Sequence, residues 1–257
     1  MPFESGSLIL ANFTARVKET GEGIEATIEE DAKKFGIHDP TRKYEPRLVA
    51  VGDSWVLQGV DEALLKAEVG QKITLDVPPE KAFGMRDSSK VRLIPIRRFA
   101  DKGEQLSVGA EVEVDGRLGI VKLMGSGRVQ TDFNHRYAGK VIQYDIEVVK
   151  ALNDDQEKIK ALLLRRVPTE PDKVQSAFSN GVITLKLPSE TYLVEGIQII
   201  KRAIANDLFK YIKASEKVEI VEEYVSTKSK EERKEAPAEV TKPDEAKEEP
   251  PIVEAPA

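Results

Sequence analysis

The sequence predicts an α+β protein built from several small units, and three observations predict it. Short apolar runs of strand length, separated by turn residues, fill the first 150 residues. Between residues 153 and 225, helix-spaced apolar patterns alternate with strand patterns. From about Ser226 to Ala257 the apolar periodicity stops, and Pro, Glu and Lys dominate.

In chain order, Leu8 to Val17 reads as the first strand. Thr27-Ile28-Glu29-Glu30 has the T-x-x-E form of a capping box, with Ile28, Ala32 and Phe35 at helical spacing. Gly59 to Lys66 is a short helix carrying Asp61 and Glu62 in its first turn, where the helix dipole favours carboxylates. Lys72 to Val77 alternates as a strand, and residues 91–96, 111–114, 118–124, 128–132 and 141–149 are further strands. Asp154 to Arg166 is a helix with Ile159, Leu162 and Leu163 on one face. Gly181 to Leu187 is a strand. Pro188-Ser189-Glu190 opens a long helix, 189–213, whose apolar face includes Tyr192, Leu193, Ile197, Ile200, Ile204 and Leu208. Lys217 to Tyr224 returns as a strand.

Composition bounds the function. A chain of 257 residues, 40% hydrophobic, is globular and long enough for one large domain or two to three small ones. The net charge of -6 offers no global attraction for nucleic acid. There is no cysteine, and the two histidines, His38 and His135, lie far apart, so no metal or other cofactor is expected. No run approaches 18 apolar residues, and Met1-Pro2-Phe3-Glu4 shows no basic stretch ahead of an apolar one. The expectation is a cytoplasmic protein without membrane partners. No G-x-S-x-G, P-loop, H-E-x-x-H or dinucleotide fingerprint occurs, so acid–base hydrolysis has no visible apparatus.

What the chain does carry is three segments at strand–turn junctions. They are Gly52-Asp53-Ser54-Trp55-Val56-Leu57-Gln58-Gly59-Val60-Asp61-Glu62-Ala63-Leu64, then Val77-Pro78-Pro79-Glu80-Lys81-Ala82-Phe83-Gly84. The third is Asp132-Phe133-Asn134-His135-Arg136-Tyr137-Ala138-Gly139-Lys140, running into the strand from Val141. In this order they resemble the SlyD-like branch of FKBP-type prolyl isomerases over residues 1–150, and the domain behind them resembles the long, archaeal-type members. The resemblance implies an antiparallel half-barrel around a short helix, interrupted by an insert-in-flap domain. The expected division is 1–86 with 140–150 as the isomerase domain, 87–139 as a β-rich chaperone insert, 151–225 as a C-terminal α+β domain and 226–257 as a disordered charged tail. The implied activity is cis/trans isomerisation of X-Pro bonds in unfolded or partly folded polypeptides.

The resemblance also implies a site. Phe13 stands where the family often has Tyr, Glu25 where it has Asp, Phe83 where it has Tyr, and Tyr144 where it has Phe. Val56 and Leu57 match the wall pair, with the Leu57 amide receiving a substrate carbonyl. These six form the expected catalytic set. Ile24, Val60 as floor, and Ile146 complete the pocket; Leu93, Ile96, Leu123, Met124 and Tyr137 of the insert are the expected client-binding residues. The phenols missing at Phe13 and Phe83 each forgo a hydrogen bond of about 0.5–1.5 kcal/mol. A second reading therefore stands beside the first: a holdase whose pocket binds chains without useful catalysis. His135 lies in a motif that departs from the family's Asn-His-Pro-Leu-Ala-Gly and is expected to be structural. The long apolar helix, wider than a domain of 151–225 covers alone, leads to the expectation of a homodimer through that domain.

Overall fold

A computed structural model describes residues 2–100, 106–167 and 169–224; the tail expected to be disordered lies outside them. In chain order the first elements are β1 (Leu8–Val17), β2 (Gly23–Ala26), α1 (Glu29–Lys34), β3 (Arg47–Ala50), α2 (Gln58–Leu64) and β4 (Lys72–Val77). Then come β5 (Val91–Pro95), α3 (Arg97–Ala100), β6 (Glu111–Val114), β7 (Arg117–Gly125), β8 (Arg128–Asp132) and β9 (Ile142–Ala151). The last are α4 (Asp155–Arg166), β10 (Gln175–Ser179), β11 (Val182–Lys186), α5 (Ile197–Tyr211) and β12 (Lys217–Val221).

The first sheet has the order β2-β1-β9-β4 and is antiparallel throughout. Its long strand β1 is shared: Leu8 to Ala11 pair with β3, and Thr14 to Arg16 pair with β2. Alternation then sorts the side chains of β1. Ile9, Ala11, Phe13, Ala15 and Val17 join Val60 and Leu64 of α2 in one core, while Leu8 belongs to another. Helix α2 fits against β4 because Gly59 carries no side chain: a Cβ there would lie 2.6 Å from Val77 Cγ1.

The insert is an antiparallel sheet of order β5-β8-β7-β6 with its own core of Ile94, Phe99, Val112, Val114, Val121 and Val129. It is tied at its neck. Asn134 accepts from the Asp87 amide (2.9 Å) and donates to the Asp87 carbonyl (2.8 Å) and Asp132 (2.7 Å). Arg86 pairs with Asp132, and the Gly139 amide donates to the Gly84 carbonyl at 2.9 Å.

The third sheet, β10-β11-β12, pairs β11 and β12 in parallel, with α5 as the crossover between them. Its core is not private. Leu8, Leu48, Ala50 and Leu152 from the outer face of the first sheet join Ile159, Leu162, Ile204 and Leu208 in one cluster.

Several expectations need correction. Thr27 does not cap α1, whose N-cap is Ile28 with no side-chain bond. Instead the Thr27 hydroxyl accepts from the Phe13 amide (2.8 Å) and so joins the segment after β2 to β1. The helix expected over 189–213 is a 3-10 turn (Ser189–Thr191) followed by α5, which begins after Gly196 at φ 75°. The apolar face is narrower than a free surface, because Ile197, Ile204 and Leu208 are buried within the chain. Strands β2, β3 and β10 were not expected; each is only four or five residues long.

Candidate active site

Two backbone turns shape the wall. Asp61, buried at the first turn of α2, accepts from the amides of Gly52 (2.7 Å) and Ser54 (3.0 Å). It holds a turn in which Gly52 (φ 79°) and Ser54 (φ 57°) are left-handed. That turn delivers Trp55, Val56 and Leu57. The Leu57 carbonyl receives the Val60 and Asp61 amides, both at 2.9 Å, while its own amide has no partner among the described residues.

Beneath the wall, Phe13 (1% exposed), Val60, Tyr144 (5%) and Ile146 are sealed in the core, so they shape the floor from below. The Tyr144 hydroxyl donates to Glu25 Oε1 at 3.1 Å, and Arg47 Nη2 donates to Glu25 Oε2 at 2.7 Å. The Arg47 guanidinium also lies 5.6 Å over the Phe13 ring. Burial, followed by the adjacent Glu25 carboxylate, raises the Tyr144 phenol above its ordinary pKa, so it stays a donor. The Glu25 carboxylate is thus held by a phenol from β9 and a guanidinium from β3.

At the mouth, Phe83 stacks on His135 with ring centroids 4.4 Å apart and lies 5.5 Å from Tyr137. His135 Nδ1 accepts the Tyr137 amide at 3.3 Å. Tyr137 lies against the pocket cluster and not in the core of the insert.

The structure therefore brings Ile24, Val56, Leu57, Phe83 and Tyr137, all half-buried, around the sealed floor. Leu93, Ile96, Leu123 and Met124 are elsewhere, on the insert. Leu93 and Leu123, each 62% exposed, flank Gln130 in one cross-strand row. Among the described residues, no group of three or more His, Cys, Asp or Glu is placed to hold a metal ion, and no helix is long and apolar enough to cross a membrane.

Sequence reasoning missed three supporting residues. Arg47 reaches Glu25 only because β3 and β2 flank the same strand. Asp61 was read as a dipole partner although it pins the wall turn. Asn134 sat in a quoted motif, but its bonds to Asp87 cross 47 positions. A fourth contact comes from the C-terminal domain. Tyr211 donates to Asp53 (2.7 Å), Lys210 pairs with it (2.8 Å), and Arg165 lies 3.7 Å over the Trp55 ring. Burial works against ionisation of Asp53, yet Lys210 and Tyr211 hold its pKa below the usual value.

Comparison with known proteins matches three family profiles in succession. Residues 4–101 match FKBP-type peptidyl-prolyl cis-trans isomerase, residues 92–137 match FKBP26, IF domain, and residues 155–225 match FKBP26_C-terminal. The chain is similar to a short-type peptidyl-prolyl cis-trans isomerase of Methanocaldococcus jannaschii, 36% identical over 128 residues, which is 50% of this chain and 82% of that protein. It is similar to an FKBP-type 16 kDa peptidyl-prolyl cis-trans isomerase of Escherichia coli, 28% identical over 152 residues (57% and 92%). It is also similar to the FKBP-type isomerase SlyD of Helicobacter pylori, 26% identical over 144 residues (53% and 77%).

Proposed function

Because the chain belongs to the FKBP-type peptidyl-prolyl cis-trans isomerase family, we propose that it turns X-Pro bonds at the Val56-Leu57 wall and holds the surrounding client chain on its insert. Rotation about an X-Pro amide meets a barrier of about 18–20 kcal/mol, set by partial double-bond character. Lowering it needs no proton transfer. Both oxygens of Glu25 are engaged, by Arg47 and by Tyr144, so this carboxylate serves as an anchor for the floor and not as a base.

The unpartnered Leu57 amide, set at the rim of an apolar cluster, is the observation that carries the reading. It fixes the carbonyl of the residue before proline, which leaves the prolyl carbonyl free to turn. Ile24, Val56 and Phe83 strip water from the planar amide, whose dipole is larger than that of the twisted transition state. Each 1.36 kcal/mol removed from the barrier gives about tenfold in rate.

The holding role rests on the insert. Leu93, Leu118 and Leu123 expose apolar side chains on its sheet, and Tyr137, in the segment that leads from the insert back to β9, lies against the pocket cluster. An unfolded chain held there meets the wall at millimolar effective concentration, on the order expected for short tethers. The clients are polypeptides with X-Pro bonds, in the cytoplasm.

Replacing residues 87–139 with a short loop tests this division of labour. Turnover of a prolyl tetrapeptide should stay within about tenfold, while proline-limited refolding of a whole protein should be crippled. Equal losses on both substrates would mean that the insert only props up the pocket. No activity on either substrate from the intact chain would leave the holdase.

A further inference from the structure

We propose that the groove between the first sheet and helix α4 is a docking site for an acidic, apolar segment of the client chain whose prolyl bond sits at the wall. The proposal rests on the isomerase reading for its consequence and on groove geometry for its chemistry.

The groove has a volume of about 650 Å3. Its apolar lining comes from Leu10, Leu48, Trp55, Leu152, Ala161 and Leu164, contributed by β1, β3, the wall turn, the residue after β9, and α4. Neither half makes it alone. The sheet supplies one side and the C-terminal domain the other, so the site exists only where the two share a core.

Its rim is cationic. Arg42, Lys43, Arg47, Lys150, Lys160 and Arg165 line it, against only two carboxylates, Glu45 and Glu157. Those two are spoken for: Lys43 pairs with Glu45 at 2.7 Å and Lys150 with Glu157 at 2.6 Å. Arg47 is committed to Glu25. Arg42, Lys160 and Arg165 remain as the cations that set the field. Arg165 stands 3.9 Å from Asp207, which is held more closely by Arg166 at 2.5 Å. An apolar floor under a positive rim selects a segment that alternates apolar and acidic residues. An extended chain presents that alternation on its two faces, and a neutral or basic chain gains less or is repelled.

The groove and the wall share one turn. Trp55 lines the groove and directly precedes Val56 and Leu57; Arg47 lines it and holds the carboxylate beside the floor. A client engaged at the wall is thereby anchored on the turn that also lines the groove, and each further extended residue reaches about 3.3 Å.

Trp55 is the only tryptophan in the chain, so its emission reports occupancy directly. The probes are two proline-free octapeptides, alternating Leu-Glu and alternating Leu-Lys, titrated into the full-length protein. The Leu-Glu peptide should shift the emission and bind at least about tenfold more tightly than the Leu-Lys peptide, and added salt should narrow the gap. Reversing two exposed charges, Arg42→Glu with Lys160→Glu, should weaken Leu-Glu binding about tenfold while the melting temperature holds. A prolyl tetrapeptide extended by Leu-Glu repeats should then lose its advantage in kcat/KM over the unextended one. Equal binding of the two octapeptides, or Leu-Glu binding unchanged in the variant, overturns the proposal. Because the octapeptides contain no proline, this result is independent of whether isomerase activity is found.

Discussion

Replacing Tyr144 with Phe removes one atom from the link between the floor and Glu25, and its effect follows from the geometry. The hydroxyl is buried and donates to a carboxylate at 3.1 Å. Hydrogen bonds to charged groups contribute about 1.5–3 kcal/mol. This one is long for an O–H···O contact, and Arg47 keeps the other carboxylate oxygen, so a loss of about 1.5 kcal/mol is expected. For a chain of this size about 1 kcal/mol moves the melting temperature by roughly 2–4 °C, which predicts a fall of about 3–6 °C. Glu25 then hangs on Arg47 alone, the Arg47 guanidinium shifts over Phe13, and kcat/KM on a prolyl tetrapeptide should drop by about threefold to tenfold. The informative partner is Phe13→Tyr in the same chain. Phe13 lies under Arg47 and two positions from Ala15, which pairs with Glu25. A phenol on Phe13 approaches the same carboxylate from below, and the double variant should recover at least half of both losses. Thermal unfolding and a protease-free isomerisation assay read the two effects separately. If Tyr144→Phe melts within 1 °C of the parent and turns over at the same rate, the hydroxyl does nothing and the account of the floor is wrong.

The remaining predictions concern the neck, the helix seat and assembly. Burial opposes ionisation of Asp132, but the Asn134 amides and Arg86 hold its pKa below the usual carboxylate value. A depressed folded pKa contributes stability above the unfolded value and loses it as pH falls through the folded one. Thermal melts should show the insert losing stability below about pH 4 in the parent, whereas Asp132→Asn, already weakened at neutral pH, should lose little more; parallel acid limbs would remove Asp132 from the explanation. Gly59→Ala places a Cβ 2.6 Å from Val77 Cγ1 and should cost about 1–3 kcal/mol by pushing α2 off β4; an unchanged melting temperature would mean that the contact relaxes freely. Leu193 (95% exposed) and Ile199 (77%) are the most exposed aliphatic side chains among the described residues of the C-terminal domain, where Phe209, Val221 and Tyr224 are exposed too. If they pair two chains, light scattering on the full chain gives twice the monomer mass and Leu193→Asp halves it; a monomer in both ends the dimer.

The strands of the half-barrel and insert were legible because half-buried sheets alternate, and alternation survives in a single sequence. The three strands that escaped, β2, β3 and β10, are four or five residues long and mix polar with apolar positions. The segment Thr27 to Glu30 fitted a capping pattern, yet tertiary context took the Thr27 hydroxyl for the Phe13 amide. Gly196 broke a helix whose apolar spacing ran on regardless, since periodicity records faces and not backbone hand. In the site, Val56, Leu57 and Phe83 could be found because they lie in local motifs. The hold of Tyr144 on Glu25 could not, because it depends on which strands are neighbours, and the carboxylate concerned is 119 positions from its donor. What shares the buried face of α5 was equally hidden, because it joins α4 and β11 to residues of a sheet made much earlier in the chain.

The place of β9 sets an order of manufacture. It lies between β1 and β4 and, among the described residues, is the one strand that joins them. A growing chain, at about 5–20 residues per second, therefore releases every hydrogen-bonding partner of the insert, residues 91–132, before the half-barrel has its central strand. The insert is finished first and the half-barrel is closed around it afterwards. A chain halted at residue 141 should accordingly resist proteolysis across 91–132 and be cut freely within β4, and adding ten residues should protect both. During that interval β1 already has β2 and β3 beside it, while β4 waits for β9 as its strand partner, so the last part of the half-barrel to close is the edge that carries β4.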